Sequence, residues 1–590
     1  MLRYLMIAIV LVLSSLTICA QQNADKEAEQ RQELNKKTIA LLNEMGSAAW
    51  SLKLPENRVF ILASAADLLW PSDEKRARAL YWDALNSINS IATVTAAPGE
   101  TPSKAEREKI LESYFTILRL RQKLLRQIAR RDSQLALDMF RASRQVPPRQ
   151  LGPEFRFNGE LQLEQEIATE VAAHDPAQAL QLARQNLSKG LSFQLLNLLN
   201  RLNEQDSEKA VQFAGEIITK LQTTNVATDS RASMIAMQLL RESRDRSAIL
   251  STTGHAKVLS LSDDQRRQLV ELVTTAALNV SANSNLLAQI SDLMPEIDQF
   301  VPDRRAAIER KIAAFNETLP REQREQWAQN ALIRNGTPEE IIRYAATMDD
   351  GTRQMLYRQA SIIAVARGRT DAFRDFVSKE VNENERTNIL DFLDAEEITT
   401  AADRKQLDDL RKLLPKIRRK EERARAMAEL ALLLKEKGED AEAASLLDEA
   451  AMLIKTDLKD DKQTNALLGL LCAYAIVDPA KAFVLAERTV DRANSQVSLL
   501  MLLDKVVRSG AVKKSEIILD QGSIVPTEFL VFKYGKGIAA LAKADFTRTR
   551  ALADRFDRNE LRLLGRLLIV KALLESQAMT QSVGDVKRED

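Results

Sequence analysis

The chain has 590 residues, an apolar fraction of 45% and an aromatic fraction of only 5%. Its 18 glycines and 15 prolines are roughly half of what average usage gives, and this shortage of turn formers favours helix over sheet. The 84 basic and 83 acidic residues leave a net charge of +1, so the chain lacks the basic excess typical of nucleic-acid-binding proteins.

The first twenty residues are organised like a secretory signal peptide. Arg3 supplies the basic start, Leu5 to Leu13 form the apolar stretch, and Ala20 is the small residue after which we expect cleavage. The segment therefore predicts an exported protein, periplasmic or extracellular. No later segment is long and apolar enough to predict a membrane span.

Two alternatives for the same segment stay open. Cys19 could be the acylated cysteine of a lipoprotein, although Ile18 stands where such a site has Gly, Ala or Ser. The segment could also remain as an anchor, although residues 4–20 are fewer than the ~20 apolar residues that a span needs. Cleavage after Ala20 would leave one cysteine, Cys472, which we expect to be a buried small hydrophobic residue rather than a nucleophile.

Helical periodicity dominates from residue 25 onwards. Helices are predicted over 25–52, 58–70 and from the cap Asp73 to about residue 91, followed by a loop at 92–103 and a linker at 145–158. This region also holds three of the four tryptophans, Trp50, Trp70 and Trp82, whereas Trp327 stands alone. We expect these tryptophans to pack in the core, and the alternative is an exposed anchor for a partner.

A recurring pattern marks the starts of several helices. The sequence at Asp175 reads Asp-Pro-Ala-Gln-Ala-Leu-Gln-Leu-Ala, and the sequence at Asp478 reads Asp-Pro-Ala-Lys-Ala-Phe-Val-Leu-Ala. Looser copies begin at Asp73, Asp132 and Asp206. The Asp caps the helix, Pro fits its first position, and the Ala four residues after the Asp lets a neighbouring helix approach. The pattern predicts internal repeats in which each copy starts the second helix of a hairpin.

One stretch, 427–455, resembles the tetratricopeptide repeat. The matching positions are Met427, Leu430, Ala431, Leu434, Gly438, Ala443, Leu447 and Ala450. Met427 replaces the usual Trp near the start, and Lys455 replaces the closing Pro. The resemblance covers about one repeat of 34 residues. It implies a tetratricopeptide-like superhelix and a protein- or peptide-binding role.

The predicted fold is all-α, a superhelical array of antiparallel helical hairpins of the α-solenoid kind. Between the N-terminal hairpins and the C-terminal repeats, helices are predicted at 263–279, 303–317, 321–334, 337–347, 351–367 and 383–394, and no strand is predicted anywhere. The predicted regions are a signal peptide at 1–20, N-terminal hairpins at 21–144, helical repeats at 159–245, irregular helical repeats at 246–400, tetratricopeptide-like repeats at 401–577 and a frayed polar tail at 578–590.

The sequence offers few residues for catalysis. Its two histidines, His174 and His255, lie in unrelated segments, where we expect surface or capping roles. Gly535-Lys536-Gly537 lacks the strand that precedes a phosphate loop, so we expect two small packing positions. No catalytic, cofactor-binding or metal-ligating residue is predicted.

Charged clusters receive a similar interpretation. Pairs of carboxylates occur at Asp349-Asp350, Glu396-Glu397 and Asp408-Asp409, and in a chain that is 28% charged we expect solvated caps and helix faces. The basic run Lys416 to Lys420 is followed at once by two glutamates, and we expect a solvated helix face there, with an anionic partner as the alternative.

Two functions follow as hypotheses. The first is a non-catalytic scaffold, in the cell envelope or outside the cell, that binds an as yet unidentified protein or peptide on a long surface of stacked hairpins. The alternative is an envelope enzyme, for instance one that processes cell-wall glycan, with a solenoid body. A deep cleft with two facing carboxylates and a tyrosine would favour the enzyme, whereas a broad groove would favour the scaffold.

Overall fold

The structure is a computed structural model. It describes residues 28–91, 103–143, 159–243, 258–280, 285–318, 336–454, 461–507, 512–519 and 527–589. The predicted signal peptide, Cys19, His255, Trp327 and the predicted helix 321–334 lie outside these residues. Almost every described residue that belongs to a regular element is helical, which confirms the predicted all-α class.

The chain divides into two compact units. The middle unit comprises Arg78–Trp327, and the terminal unit joins Met1–Ala77 to Ala328–Asp590. The described residues up to Ala77 thus lie in the same unit as the C-terminal half of the chain.

The N-terminal helices begin with α1. They are α1 (28–48), α2 (Pro55–Leu69) and α3 (Glu74–Asn89), with a 3₁₀ turn at Ala49–Ser51. The middle unit continues with α4 (Lys104–Ala129), α5 (Ser133–Ala142), α6 (Gly159–Val171), α7 (Pro176–Lys189), α8 (Gln194–Gln205), α9 (Ser207–Gln222), α10 (Ser230–Glu242), α11 (Asp263–Asn279), α12 (Asn285–Ile290), α13 (Met294–Phe300) and α14 (Arg305–Thr318). The sequence had not predicted α12 and α13, which are too short to show helical periodicity.

The C-terminal part of the terminal unit is also a succession of helices. They are α15 (Pro338–Ala345), α16 (Asp350–Ala366), α17 (Thr370–Glu380), α18 (Glu383–Asp403), α19 (Leu407–Leu413), α20 (Lys420–Glu436), α21 (Asp440–Leu453), α22 (Asp461–Val477), α23 (Pro479–Val507), α24 (Thr527–Ala544), α25 (Phe546–Asp554) and α26 (Asn559–Glu589). Helix α26 continues through the predicted polar tail as far as Glu589, past the point near residue 577 where the apolar stripe ends. Among the described residues, no helix combines the length and the apolar character that crossing a membrane requires.

The predicted helix starts are confirmed. Each of the five aspartates accepts a hydrogen bond from the backbone N–H three residues further on, at 2.8 to 3.2 Å: Asp73, Asp132, Asp175, Asp206 and Asp478. The alanines four residues after them are all 0% exposed: Ala77, Ala136, Ala179, Ala210 and Ala482. The caps therefore satisfy orphan N–H groups, and the alanines allow close helix packing, as the sequence predicts.

One short hairpin contradicts the prediction of no strand. Strands β1 (Val512–Lys513) and β2 (Glu516–Ile517) pair in antiparallel fashion. The two residues between them, Lys514 and Ser515, have φ angles of 48° and 62°. Two successive positive φ angles are the geometry of a tight hairpin turn. Four strand residues are too few to produce an alternating pattern, so this hairpin could not be predicted from the sequence.

This hairpin joins the two ends of the chain within the terminal unit. The buried carboxylate of Glu516 accepts hydrogen bonds from the backbone N–H groups of Lys53 at 2.6 Å and Leu54 at 3.0 Å. Asn57 completes the contact, because its Nδ2 donates to the Ile517 carbonyl at 2.8 Å. Nearby, Leu34 of α1 packs against an apolar cluster that α24, α25 and α26 share. The start of α2 is therefore fixed to residues more than four hundred positions away.

Candidate functional site

Three hairpins stack in the C-terminal part of the terminal unit. Helix α20 packs against its hairpin partner α21 and against α22, while α22 packs against its partner α23 and against α24. The side of α20 that meets these neighbours is buried and apolar, with Ala424, Met427, Ala431 and Leu434. A second side of the same helix carries Arg425 and Glu429, which are four residues apart and so lie together.

A charged surface runs across α20, α22 and α24 at this place. We call it the charged face and define it by six residues. They are Arg425 and Glu429 of α20, Asn465 and Cys472 of α22, and Lys533 and Lys536 of α24. The sequence analysis did not single out this set, because the six residues come together only when the three helices pack.

Glu429 is the unusual member of the charged face. Its side chain is half-buried, and among the described residues no group forms a hydrogen bond or ion pair with its carboxylate. Burial is the largest influence on its pKa and raises it above the usual range. Arg425 lowers this pKa through its charge, whereas Asp403, near the end of α18, raises it. The net result is a carboxylate that has lost water without gaining a partner, which costs stability.

The nearest cations are held by other groups. Arg425 donates from Nη2 to Thr399 Oγ1 at 2.7 Å and to the Ala395 carbonyl at 3.1 Å, both on α18. Its Nη1 lies 3.5 Å from a carboxylate oxygen of Glu422. These contacts engage the guanidinium with α18 and with Glu422, and it forms no ion pair with Glu429, although its charge lowers the pKa of Glu429.

Lys533 is held in a similar way on the other side of the face. Its Nζ donates to Asn465 Oδ1 at 3.0 Å, and the Tyr534 hydroxyl donates to the same oxygen at 3.3 Å. Partial burial lowers the pKa of Lys533, and the charge of Arg425 lowers it further. Lys536, in contrast, is exposed, and no described group forms a hydrogen bond or ion pair with it.

Helices α22 and α24 approach each other closely beside Glu429. A Cβ atom at Gly537 would lie 2.6 Å from Cys472 Sγ and 2.8 Å from Cys472 Cα, so only glycine fits there. The predicted packing role of the Gly535–Gly537 stretch is therefore confirmed. Cys472 is half-buried, and burial raises its pKa to about 11. The thiol is protonated at neutral pH and lacks the electropositive setting of a nucleophile.

The structure also places the other residues that the sequence singled out. His174 is exposed in the turn before the Asp175 cap, as predicted. Trp70 is half-buried, but Trp50 and Trp82 are 48% and 38% exposed. The prediction of core packing is wrong for those two. The Arg58 guanidinium lies 4.9 Å from the centre of the Trp50 ring, where a cation–π contact stabilises the exposed ring.

The carboxylate pairs divide into two groups. Asp349 caps α16 by accepting from the Thr352 N–H at 3.1 Å, and Asp408 is exposed in the first turn of α19, as predicted. Glu397 contradicts the prediction of a solvated face, because it is largely buried and pairs with Arg374 at 2.6 Å. Asp394, one turn earlier on α18, pairs with the same guanidinium and is 3% exposed.

The basic run forms ion pairs with α17 and α18. Residues 416–419 lie in the connection between α19 and α20, and Lys420 is the first residue of α20. Lys416 pairs with Asp371 at 3.2 Å, and Arg419 pairs with Asp391. Burial raises the pKa of Asp391 despite that pairing. The prediction of a helix face is wrong for residues 416–419, whereas Lys416, Arg418 and Lys420 are exposed to solvent, as predicted.

A cavity of about 970 Å³ lies elsewhere in the terminal unit, between α1, the end of α24, the start of α25 and Gln577 of α26. Its lining carries charges of both signs, including Arg31, Lys543, Glu33 and Asp545. The lining contains no tyrosine. Among the described residues, no group of three or more His, Cys, Asp or Glu side chains is placed to hold a metal ion.

Among solved structures, the chain has a distant likeness to a repeat protein. No protein-family model matches the sequence, and no curated protein matches it. The chain is similar to a solved circular tandem repeat protein with novel repeat topology and enhanced subunit contact surfaces, with 14% identity over 91% of this chain and 100% of that one, at a TM-score of 0.15. A TM-score this low carries no argument. The stacked helical hairpins themselves place the chain among the helical-repeat proteins.

Proposed function

We propose that this protein is a non-catalytic, exported helical-repeat scaffold that binds a protein or peptide partner through the charged face. The observation that carries this proposal is Glu429, a carboxylate that is half-buried and unpaired among the described residues. Such a group lowers the stability of the isolated protein. Ionisable groups whose pKa values are shifted by burial cluster where proteins bind ligands or perform chemistry.

The hairpin of α20 and α21 supports a tetratricopeptide-like mode of binding. Gly438, in the turn between the two helices, has a φ of 82°, which favours glycine. The remaining matched positions are buried in both helices, as that resemblance implies: Met427, Leu430, Ala431, Leu434, Ala443, Leu447 and Ala450. The first helices of the three successive hairpins, α20, α22 and α24, carry the charged face.

Export is part of the proposal and rests on the leader-like residues 1–20. N-terminal sequencing of the protein from its native host tests it. We expect the mature chain to begin at Gln21. A mature chain that begins at Met1, or a lipid attached at Cys19, would contradict cleavage after Ala20.

Site-specific photo-crosslinking in the native host tests the binding role. A photoreactive residue replaces Asn465, which is exposed on the charged face, and the matched control replaces Ser445, which is exposed on α21. We expect one reproducible crosslinked partner from position 465 and none from position 445. Equal crosslinking from both positions would contradict binding at the charged face. Turnover of cell-wall glycan by the purified chain would instead favour the enzyme alternative.

A further inference from the structure

We propose that the charged face recognises a segment of its partner protein that presents a basic side chain, arginine or lysine, to Glu429 and Asp403. This inference rests on the proposed function and adds the chemistry of the partner. Four residues carry it. The carboxylates of Glu429 and Asp403 and the amine of Lys536 have no described hydrogen-bond or ion-pair partner. The fourth residue is Asn465, whose Oδ1 already accepts hydrogen bonds.

The first step concerns the two carboxylates. The charge of Asp403, the last residue of α18, raises the pKa of Glu429 on α20. Neither forms a hydrogen bond or ion pair with any described group. A guanidinium or ammonium placed between them would remove this repulsion and replace the water that Glu429 has lost. A basic side chain therefore gains more here than at an ordinary exposed carboxylate.

The second step explains why the protein's own cations do not fill this position. Arg425 is held by Thr399 and the Ala395 carbonyl at 2.7 and 3.1 Å. Lys533 is held by Asn465 at 3.0 Å. Both charges are engaged by other groups, and no described group forms a hydrogen bond or ion pair with Glu429, so its carboxylate is left available although cations lie near it. An incoming cation does not have to break an existing ion pair of Glu429.

The third step concerns the kind of molecule that brings the cation. Lys536 is exposed and lies near enough to Glu429 to lower its pKa. Its charge repels a segment that is basic throughout and attracts a carboxylate beside the basic residue. Asn465 uses its Oδ1 as an acceptor for both Lys533 and Tyr534, which leaves its Nδ2 to donate to a carbonyl oxygen. A polypeptide with mixed charges offers all three groups, and a free metal ion does not.

Selection from a random-peptide library displayed on phage, against the purified full-length chain, tests the inference. We expect arginine and lysine to be enriched in the selected peptides. One selected peptide, synthesised with a fluorescent label, is then compared on three proteins by anisotropy. We expect about tenfold weaker binding by Glu429→Gln, as for loss of a hydrogen bond between charged groups. Glu449→Gln, the same change at an exposed position of α21, should leave affinity unchanged.

A charge exchange completes the design. Glu429→Lys should lose the basic peptide and regain affinity for the same peptide with its basic residue changed to glutamate. Circular dichroism shows whether each variant is folded. Selected peptides without arginine or lysine, or equal binding by the wild type and Glu429→Gln, would overturn this inference while leaving the scaffold intact. If position 465 also fails to crosslink any partner in the host, the proposed function fails with it.

Discussion

Two glutamates, one in each unit, show how differently the same residue type can be used on the first helix of a hairpin. Glu166 of α6, in the middle unit, is 7% exposed. Its carboxylate accepts hydrogen bonds from Gln122 Nε2 at 2.6 Å and from Gln162 Nε2 at 3.2 Å. Glu429 of α20, in the terminal unit, is half-buried and accepts none from the described residues.

The difference lies in the neighbouring helices. In the middle unit, α4 supplies Gln122 and α8 supplies Gln194, whose Nε2 lies 3.4 Å from Glu166. In the terminal unit, α22 places Cys472 beside Glu429, and the nearby cations are held elsewhere. A buried carboxylate with amide donors stabilises its unit, whereas one without donors destabilises its unit and is available to a ligand.

The largest effect is expected at Gly537, where α22 and α24 pack closely against each other. Gly537→Ala brings a Cβ within 2.8 Å of the Cys472 backbone, so α22 and α24 must separate. Overpacking of this kind costs about 3 kcal/mol, and the midpoint of urea-induced unfolding measures it. The matched control is Gly469→Ala on α22, where nothing lies within 4 Å. That change should stabilise by up to about 1 kcal/mol, and a loss of stability there as large as at Gly537 would refute the packing argument.

The second prediction acts on the satisfied glutamate. Glu166→Gln places an amide donor where Gln122 and Gln162 already donate, so one donor loses its acceptor. We expect a loss of about 1–3 kcal/mol in the free energy of unfolding. Glu108→Gln, at an exposed position of α4, is the control and should stay within about 0.5 kcal/mol of wild type. If Glu166→Gln leaves the free energy of unfolding unchanged, the hydrogen bonds of Glu166 do not stabilise its unit, and the contrast with Glu429 is lost.

The third prediction has the opposite sign. Glu429→Gln keeps the shape of the side chain and removes the charge that burial disfavours, so we expect it to stabilise the protein at pH 7 by up to about 1 kcal/mol. Urea-induced unfolding again provides the measurement, with Glu449→Gln as the control. Destabilisation by Glu429→Gln would mean that the carboxylate has a partner after all and that the two glutamates are used alike.

The smallest effect concerns pH. The pKa of Glu429 is raised in the folded state, so the folded protein binds more protons than the unfolded one between the usual carboxyl pKa of about 4 and the raised value. The stability that this extra proton binding contributes is fully present below about pH 4, and it is lost as the pH rises through the pKa of Glu429 in the folded state. The advantage of Glu429→Gln should therefore be greatest at neutral pH and vanish below about pH 4. If the stability difference between Glu429→Gln and the wild type were the same at neutral pH and below about pH 4, a raised pKa of Glu429 would be contradicted.

Local signals were enough for the sequence to determine the helices and many of their ends. An Asp cap such as Asp175 acts on a backbone N–H three residues away, so a nine-residue pattern contains the whole capping interaction. The same pattern marks Ala179, one turn further on, as a buried small residue. Gly438 marks a turn for an equally local reason, its positive φ. The all-α class follows from many such short-range preferences acting together.

Only the tertiary structure decided which charges are buried and which residues meet. Glu397 and Glu429 look alike in the sequence, yet one pairs with Arg374 while the other has no described partner. Glu516 binds the backbone of Lys53 across more than four hundred and fifty residues. Burial and pairing depend on what neighbouring helices bring to a position. That is a property of packing over long sequence separations, which helical periodicity and caps do not encode.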